Sequence, residues 1–344
     1  MTRVTKTASP TIPDQAAADH PVRDELRRIA SDAGYAMRLA AGRIDLPPPT
    51  PSDGPDPYGN RDPEWLGIDW REHLRQVDVV GAQANYVELG DGPPVVLVHG
   101  LSGAWQSWLE QIPEFAKRHR VIALDLPGFG ASPMPQWEIS IPAYGRFVRD
   151  LCERLGIERC SLVGNSMGGF IASEIAITEP ERVDELVLVS AAGITWARAR
   201  REPAVVLGRV AMAAAPLLFK YQMSGIRRPG LRHRAFRGVF HDPNSLRPEL
   251  LWENIVPALT SSPGYLDAIS TLFGYDIRHR LEEIDVPTLI VWGKQDRLVP
   301  PVYAQEFASR IANARVELVD QAGHVPQLEQ FAQVSEAIQA FLGG

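Results

Sequence analysis

The stretch Val163-Gly164-Asn165-Ser166-Met167-Gly168-Gly169 constrains this chain more than any other. Its centre, Gly164 to Gly168, has the G-x-S-x-G spacing of a nucleophile elbow, in which a serine sits on a sharp turn from strand to helix. The context agrees with the pattern. Upstream, Cys160 to Val163 is a short apolar run of the buried-strand type; downstream, Phe170, Ile171, Ile175 and Ala176 carry helical spacing as far as Glu179-Pro180. Glycines flank the serine because a side chain there would collide with the turn or with the neighbouring strand. The helix N-terminus aims backbone N–H groups at negative charge developing beside the serine. The plainer alternative is a glycine-rich connection without chemistry.

The chain around this stretch alternates strand and helix. Gln76 to Val80 and Ala82 to Leu89 read as an antiparallel pair turning at Gly81, followed by an apolar strand from Pro94 to His99. Then come a helix (Trp105 to Lys117), a strand (Arg120 to Leu124), a helix (Ile141 to Leu155), the elbow strand and helix, and a strand (Leu186 to Ser190). The rhythm resumes with strand Thr288 to Trp292, helix Pro301 to Ile311, strand Val316 to Val319 and helix Pro326 to Phe341. Such alternation predicts an α/β fold: a mostly parallel, eight-stranded sheet covered by helices on both faces. No internal repeat is visible.

Two regions fall outside the rhythm. Residues 1–70 form an N-terminal extension. Within it Val22, Leu26, Ile29, Ala33, Met37 and Ala40 mark an amphipathic helix, and Leu46 to Pro63 carries seven prolines, a linker or wrapping arm. The helix suits packing on the main domain, a homodimer contact or a membrane edge; packing within the protein is the ordinary choice. The second region, 194–276, is too long for a loop and has apolar periods of its own, so a helical insertion is expected between core segments 71–193 and 277–344. Pro203 to Phe219 is apolar apart from Arg209, too short and interrupted for a membrane span, and suits a cap helix over a substrate cleft. Residues 195–270 carry eleven Lys and Arg against five Asp and Glu. A solvated basic face is the plain reading; contact with an anionic substrate or a membrane edge is the sharper one.

Composition narrows the class. Of 344 residues, 45% are hydrophobic and 22% charged, ordinary for a soluble globular protein, and a net charge of −7 speaks against a nucleic-acid partner. Cys152 and Cys160 are too few for a disulfide scaffold and lack metal-ligand spacing, so neither metal nor cofactor is expected. No signal-peptide core and no long apolar run is present, which makes the cytoplasm the expected location.

A serine hydroxyl becomes a useful nucleophile only when a base takes its proton, and the base needs a third group to hold its tautomer. His324, in Gly323-His324-Val325-Pro326 after the last strand, is the candidate base. Asp296, in Trp292-Gly293-Lys294-Gln295-Asp296 after the preceding strand, is the candidate orienting acid. Both lie past carboxyl ends of strands, where sites in open parallel sheets form. Asp125 reads as a turn-forming residue, Glu329 as support for the final helix, and His99 as a brace for its loop. The oxyanion of an acyl transfer needs donors; the backbone N–H of Met167 and that of Leu101, in His99-Gly100-Leu101-Ser102-Gly103, are the candidates. Trp105, Trp108, Trp196, Leu217 and Phe219 are candidate walls for an apolar substrate.

The segments 99–103, 125–130, 164–169, 292–296 and 323–324, with the chain order Ser, Asp, His, together resemble the α/β-hydrolase fold superfamily over residues 75–341. The resemblance implies a helical cap after the sixth strand, where residues 194–276 fall. The elbow resembles those of serine esterases and of hydrolases that cleave C–C bonds in ring-fission products. A serine at 166 departs from the haloalkane dehalogenases and epoxide hydrolases of the superfamily, which use aspartate there. The C–C hydrolases usually carry a glycine-richer loop than 99–103, and that departure favours a carboxylic ester. The expectation is therefore a serine hydrolase acting on a small-molecule, largely apolar ester. C–C hydrolysis or perhydrolysis by the same triad is the alternative within enzymes, and a non-catalytic binding module on this fold is the alternative outside them.

Overall fold

The computed structural model describes residues 62–194 and 221–343, apart from positions 223, 227, 261 and 274. The amphipathic stretch 22–40, most of the proline-rich arm, and the cap candidates Pro203 to Phe219, with Trp196, Leu217 and Phe219, lie outside them.

Eight strands form one sheet: β1 Leu74–Val79, β2 Ala82–Leu89, β3 Pro94–Val98, β4 Arg120–Leu124, β5 Cys160–Asn165, β6 Val183–Val189, β7 Thr288–Gly293 and β8 Ala314–Val319. Their order is β1-β2-β4-β3-β5-β6-β7-β8. β1 pairs antiparallel with β2 and β2 antiparallel with β4, and every other pair is parallel. The central strands show why the sheet must be covered twice. Val96 and Val98 of β3 join one core cluster, and the intervening Val95 and Leu97 join a second on the opposite face. Side chains alternate across a strand, so a strand apolar at every position needs a partner layer on each side.

The first layer contains α2 (Ile141–Arg154), α3 (Met167–Thr178) and α7 (Val302–Arg310). Ser140 caps α2 by accepting the Ala143 N–H at 3.3 Å. α3 is buried over its whole first eleven residues, Met167 to Ile177, as a helix apolar all round must be. The second layer contains α1 (Gln111–Ala116) and α9 (Phe331–Phe341). Between β6 and β7 the described insertion holds α4 (Pro229–Phe236), α5 (Pro248–Thr260) and α6 (Tyr265–Thr271). Among the described residues no helix is long and apolar enough to cross a membrane.

Two expectations need correction. The helix predicted over 105–117 is a 3-10 turn, Trp105–Trp108, followed by the short α1. Proline lacks the N–H that an interior helical residue donates and fits best in a helix's first turn, which agrees with the α-helix beginning at Gln111. The helix predicted from 326 to 341 is also two: α8 (Pro326–Glu329) and α9, separated by Gln330 at φ −130°, ψ 51°. The buried Glu329 carboxylate is tied to other loops, while α9 packs Val334 and Ile338 into the second cluster. Residues 62–70, the end of the stretch read as an extension, pack on the core. Trp65 is 4% exposed within the second cluster, and Trp70 donates its indole N–H to the Trp65 carbonyl at 3.0 Å.

Candidate active site

The strand order reverses at β3: the chain goes from β3 to β4 on one side, then returns to β5 on the other. The carboxyl ends of two strands that send the chain opposite ways leave a crevice between them. The loop 99–103 leaves β3 and the elbow leaves β5, so both open into that crevice.

Ser166 stands at φ 54°, ψ −114°, a region that only a strongly over-determined turn imposes on a residue with a side chain. Two glycines make the turn possible. A Cβ on Gly164 would collide with the Gly168 carbonyl, and one on Gly168 with the Val98 carbonyl. Of residues 160–177, Ser166 alone is not buried. Tertiary structure therefore holds a strained hydroxyl at the surface of an otherwise sealed layer.

Asp296 and His324 meet through their loops. Gln295 donates its N–H to the Ala322 carbonyl at 2.9 Å, and its side-chain oxygen accepts the Ala322 N–H at 3.1 Å. The buried Trp292 closes the Asp296 loop by donating its indole N–H to the Val299 carbonyl at 2.9 Å. Within this frame Asp296 Oδ1 accepts the N–H groups of Leu298 and Val299, both at 2.9 Å. Its Oδ2 lies 2.8 Å from His324 Nδ1. With Oδ2 as acceptor, Nδ1 carries the proton and Nε2 presents its lone pair. Nε2 is buried and has no hydrogen-bond partner among the described residues.

Asn165, the variable residue before the serine, joins the elbow to the base. Its Nδ2 donates to the Val189 carbonyl at 3.1 Å and to the His324 carbonyl at 3.3 Å. Sequence reasoning missed it, because its partner is 159 residues away. Glu329 was legible only as helix support. Its carboxylate in fact accepts the N–H groups of Gly323, His241 and Asp242.

The oxyanion candidates are close to the serine. Met167 is the first residue of α3, so its N–H has no acceptor within the helix. The loop bearing Leu101 packs on the elbow so tightly that a Cβ on Gly100 would lie 3.1 Å from Ser166 Cβ. His99 braces this loop. Its Nε2 accepts the Leu126 N–H at 2.9 Å, which leaves Nδ1 to donate to the Gly100 carbonyl at 2.7 Å. Both ring nitrogens are thereby used in one neutral tautomer, and burial holds the imidazole down at about 4. Asp125 is also structural. It accepts N–H groups of Trp105, Ala131 and the Asn85 amide, each at 2.8 Å, and burial pushes its carboxyl up to about 6.

Trp105 and Trp108, expected to wall a cleft, are 7% and 0% exposed and sit in the second core cluster. The Trp105 ring lies 5.1 Å from that of Trp70, so it spends its apolar surface on packing residues 62–72. The described part of the insertion touches three segments that follow strands β3, β4 and β8. α5 packs on the Trp105–Trp108 turn, Gly264 donates its N–H to the Gly128 carbonyl at 2.9 Å, and Val239 accepts the His324 N–H at 2.8 Å. Among the described residues no cluster of three His, Cys, Asp or Glu side chains is arranged to hold a metal ion.

Comparison with known proteins agrees with this fold. The family model described as alpha/beta hydrolase fold matches residues 93–331. The 2-hydroxy-6-oxo-6-phenylhexa-2,4-dienoate hydrolase of Comamonas testosteroni is 31% identical over 275 residues, covering 75% of this chain and 90% of that one. The pimeloyl-[acyl-carrier protein] methyl ester esterase of Aeromonas hydrophila is 31% identical over 260 residues, covering 74% and 97%. Among solved structures, a thermophilic esterase from Thermogutta terrifontis superposes with a TM-score of 0.67 at 24% identity, over 78% of this chain and 98% of that one.

Proposed function

The chain belongs to the α/β-hydrolase fold family, and on that premise we propose that it is a serine hydrolase cleaving a largely apolar carboxylic ester through an acyl-enzyme on Ser166. The observation that carries the reading is the pairing of His324 Nδ1 with Asp296 Oδ2 at 2.8 Å, together with a serine strained into a tight, partly buried turn whose neighbour Asn165 bonds the His324 carbonyl. In the first step Ser166 Oγ attacks the ester carbonyl carbon while His324 Nε2 takes its proton. The N–H groups of Met167 and Leu101 receive the charge that moves to the carbonyl oxygen. Collapse of the tetrahedral adduct breaks the C–O bond, and the imidazolium gives its proton to the departing alcohol. A water, deprotonated by the same nitrogen, attacks the acyl-enzyme; carboxylate and free serine result. Asp296 stabilises the imidazolium in both halves without taking the proton.

The apolar preference rests on residues 203–219, whose Val205, Leu207, Val210, Leu217 and Phe219 suit burial against an acyl group. Each buried methylene is worth about 0.8 kcal/mol, so medium-chain or aromatic esters should outperform acetates. A second reading, C–C bond hydrolysis by the same three residues, is favoured by the similarity to the phenylhexadienoate hydrolase. Two assays test the proposal. A fluorophosphonate probe should label Ser166, and Ser166→Ala should abolish labelling while staying folded; label on another serine would falsify the nucleophile. A panel of chromogenic esters of increasing chain length, run beside a ring-fission dienoate, separates the two readings. Turnover of the dienoate far above every ester would establish the second, and acetate as the best ester would sink the apolar cleft.

A further inference from the structure

Three backbone N–H groups converge on the side chain of Glu329, which is 8% exposed and forms no ion pair among the described residues. Oε2 accepts the Gly323 N–H at 2.6 Å, while Oε1 accepts those of His241 at 2.6 Å and Asp242 at 3.1 Å. Gly323 directly precedes His324; His241 and Asp242 belong to the insertion. The two segments touch backbone to backbone at this point. A Cβ on Gly323 would lie 2.6 Å from the Val239 carbonyl oxygen and 2.8 Å from the His241 nitrogen. The His324 N–H itself donates to the Val239 carbonyl at 2.8 Å.

We propose that Glu329 is the positioning residue of the base: its carboxylate clamps the Gly323-His324 backbone to insertion residues 239–242 and so sets where the imidazole stands relative to Ser166. The inference rests on the reading of His324 as general base. Its physical content is a count of acceptors. Three donors require both oxygens, and no neutral side chain of the same shape supplies two. Glutamine would turn its amide nitrogen toward at least one N–H group, leaving a buried donor unpaired. If that donor is Gly323, the dihedrals beside His324 relax and the base drifts; a 1 Å misplacement of a reacting group costs about 10²-fold in rate.

The clamp is tightest while Glu329 is ionised, because a protonated oxygen accepts more weakly and brings a further donor into a site already filled with donors. Burial pushes its carboxyl up to about 7 despite the three N–H groups, and the nearby Asp242 carboxylate pushes the same way. The titratable neighbours are His241 and Asp242 from the insertion and His324 from the adjoining loop. The Trp105–Trp108 turn and β7 pack on α8 without a titratable side chain, and α9 brings only Glu336. As pH falls through about 7, Glu329 gains a proton and the clamp loosens. Protonated Glu329 then resembles a neutral glutamine, so the ratio of wild-type kcat to that of Glu329→Gln falls toward 1 as pH drops below about 7.

The test uses the full chain and a chromogenic ester that it turns over. Above pH 7 Glu329→Gln should lower kcat by about 10- to 100-fold with KM nearly unchanged, a gap that closes as pH falls below about 7. Glu329→Asp, which keeps both acceptors on a shorter stem, should recover part of the rate. A side chain serving stability alone would shift the melting temperature but leave the kcat ratio of wild type to Glu329→Gln independent of pH. A ratio that stays constant between about pH 8 and about pH 5 overturns the proposal. So does a folded Glu329→Gln protein with wild-type kcat beside an inactive His324→Ala. An active His324→Ala would instead remove the base assignment on which the proposal stands.

Discussion

Replacing Asp296 with asparagine tests how the site fixes its tautomer. Asp296 Oδ1 faces two donors, the N–H groups of Leu298 and Val299 at 2.9 Å each, while among the described residues Oδ2 faces only His324 Nδ1 at 2.8 Å. The asparagine amide has one oxygen, and two donors claim it for the Oδ1 position. The opposite orientation would set an NH2 group against two N–H groups and forfeit two buried hydrogen bonds, at about 1–3 kcal/mol apiece. The NH2 group therefore points at Nδ1, which must become an acceptor, and the ring proton moves to Nε2. A protonated Nε2 cannot take the serine proton. In serine hydrolase triads this wrong-tautomer substitution costs about 10⁴-fold, or about 5 kcal/mol at 1.36 kcal/mol per decade. The expected outcome for Asp296→Asn is a drop in kcat/KM on a chromogenic ester of about 10³- to 10⁴-fold at neutral pH. Because all backbone bonds of the loop survive, the melting temperature should stay within a few degrees of wild type. Activity within tenfold of wild type would refute the reasoning, and with it the role of Asp296 as the orienting group.

Two further perturbations probe the frame of the site. Gly100→Ala places a methyl group 3.1 Å from both Ser166 Cβ and Asn165 Oδ1, so the loop bearing Leu101 must shift by a few tenths of an ångström. We expect kcat to fall about tenfold with a small loss of thermal stability, and unchanged kcat would show that this loop takes no part in the reaction. Asp125→Asn leaves three donors facing one acceptor and should cost about 1–3 kcal/mol at pH 7, read by denaturant unfolding. Because the folded pKa of Asp125 is raised to about 6 from 3.8, its contribution is fullest below 3.8 and is lost as pH rises through about 6. The stability gap between wild type and Asp125→Asn should thus widen, by an amount on the order of 3 kcal/mol, as pH falls from 7 to 4. A gap independent of pH would contradict the assignment.

What the sequence determined by itself is whatever depends on near neighbours along the chain. Apolar runs bounded by turns mark β3 and β5 because an all-apolar strand is stable only inside a two-faced sheet. Gly164 and Gly168 mark the elbow because the steric demand of that turn lies within five residues. Asp296 and His324 were legible because each follows a strand, and parallel strands deliver their carboxyl ends to one edge. Even Pro113 carried a local signal: its missing N–H suits the first turn of a helix. Only the tertiary structure could decide the rest. Nothing near Trp105 in sequence foretells that Trp70 covers its ring, and nothing near Asn165 foretells that its amide reaches the His324 carbonyl. Glu329 lies five residues from His324, yet the donors that make it a clamp include His241 and Asp242, almost ninety residues upstream. A buried polar group takes its role from the partners that surround it after water is gone, and those partners are assembled by packing across the chain.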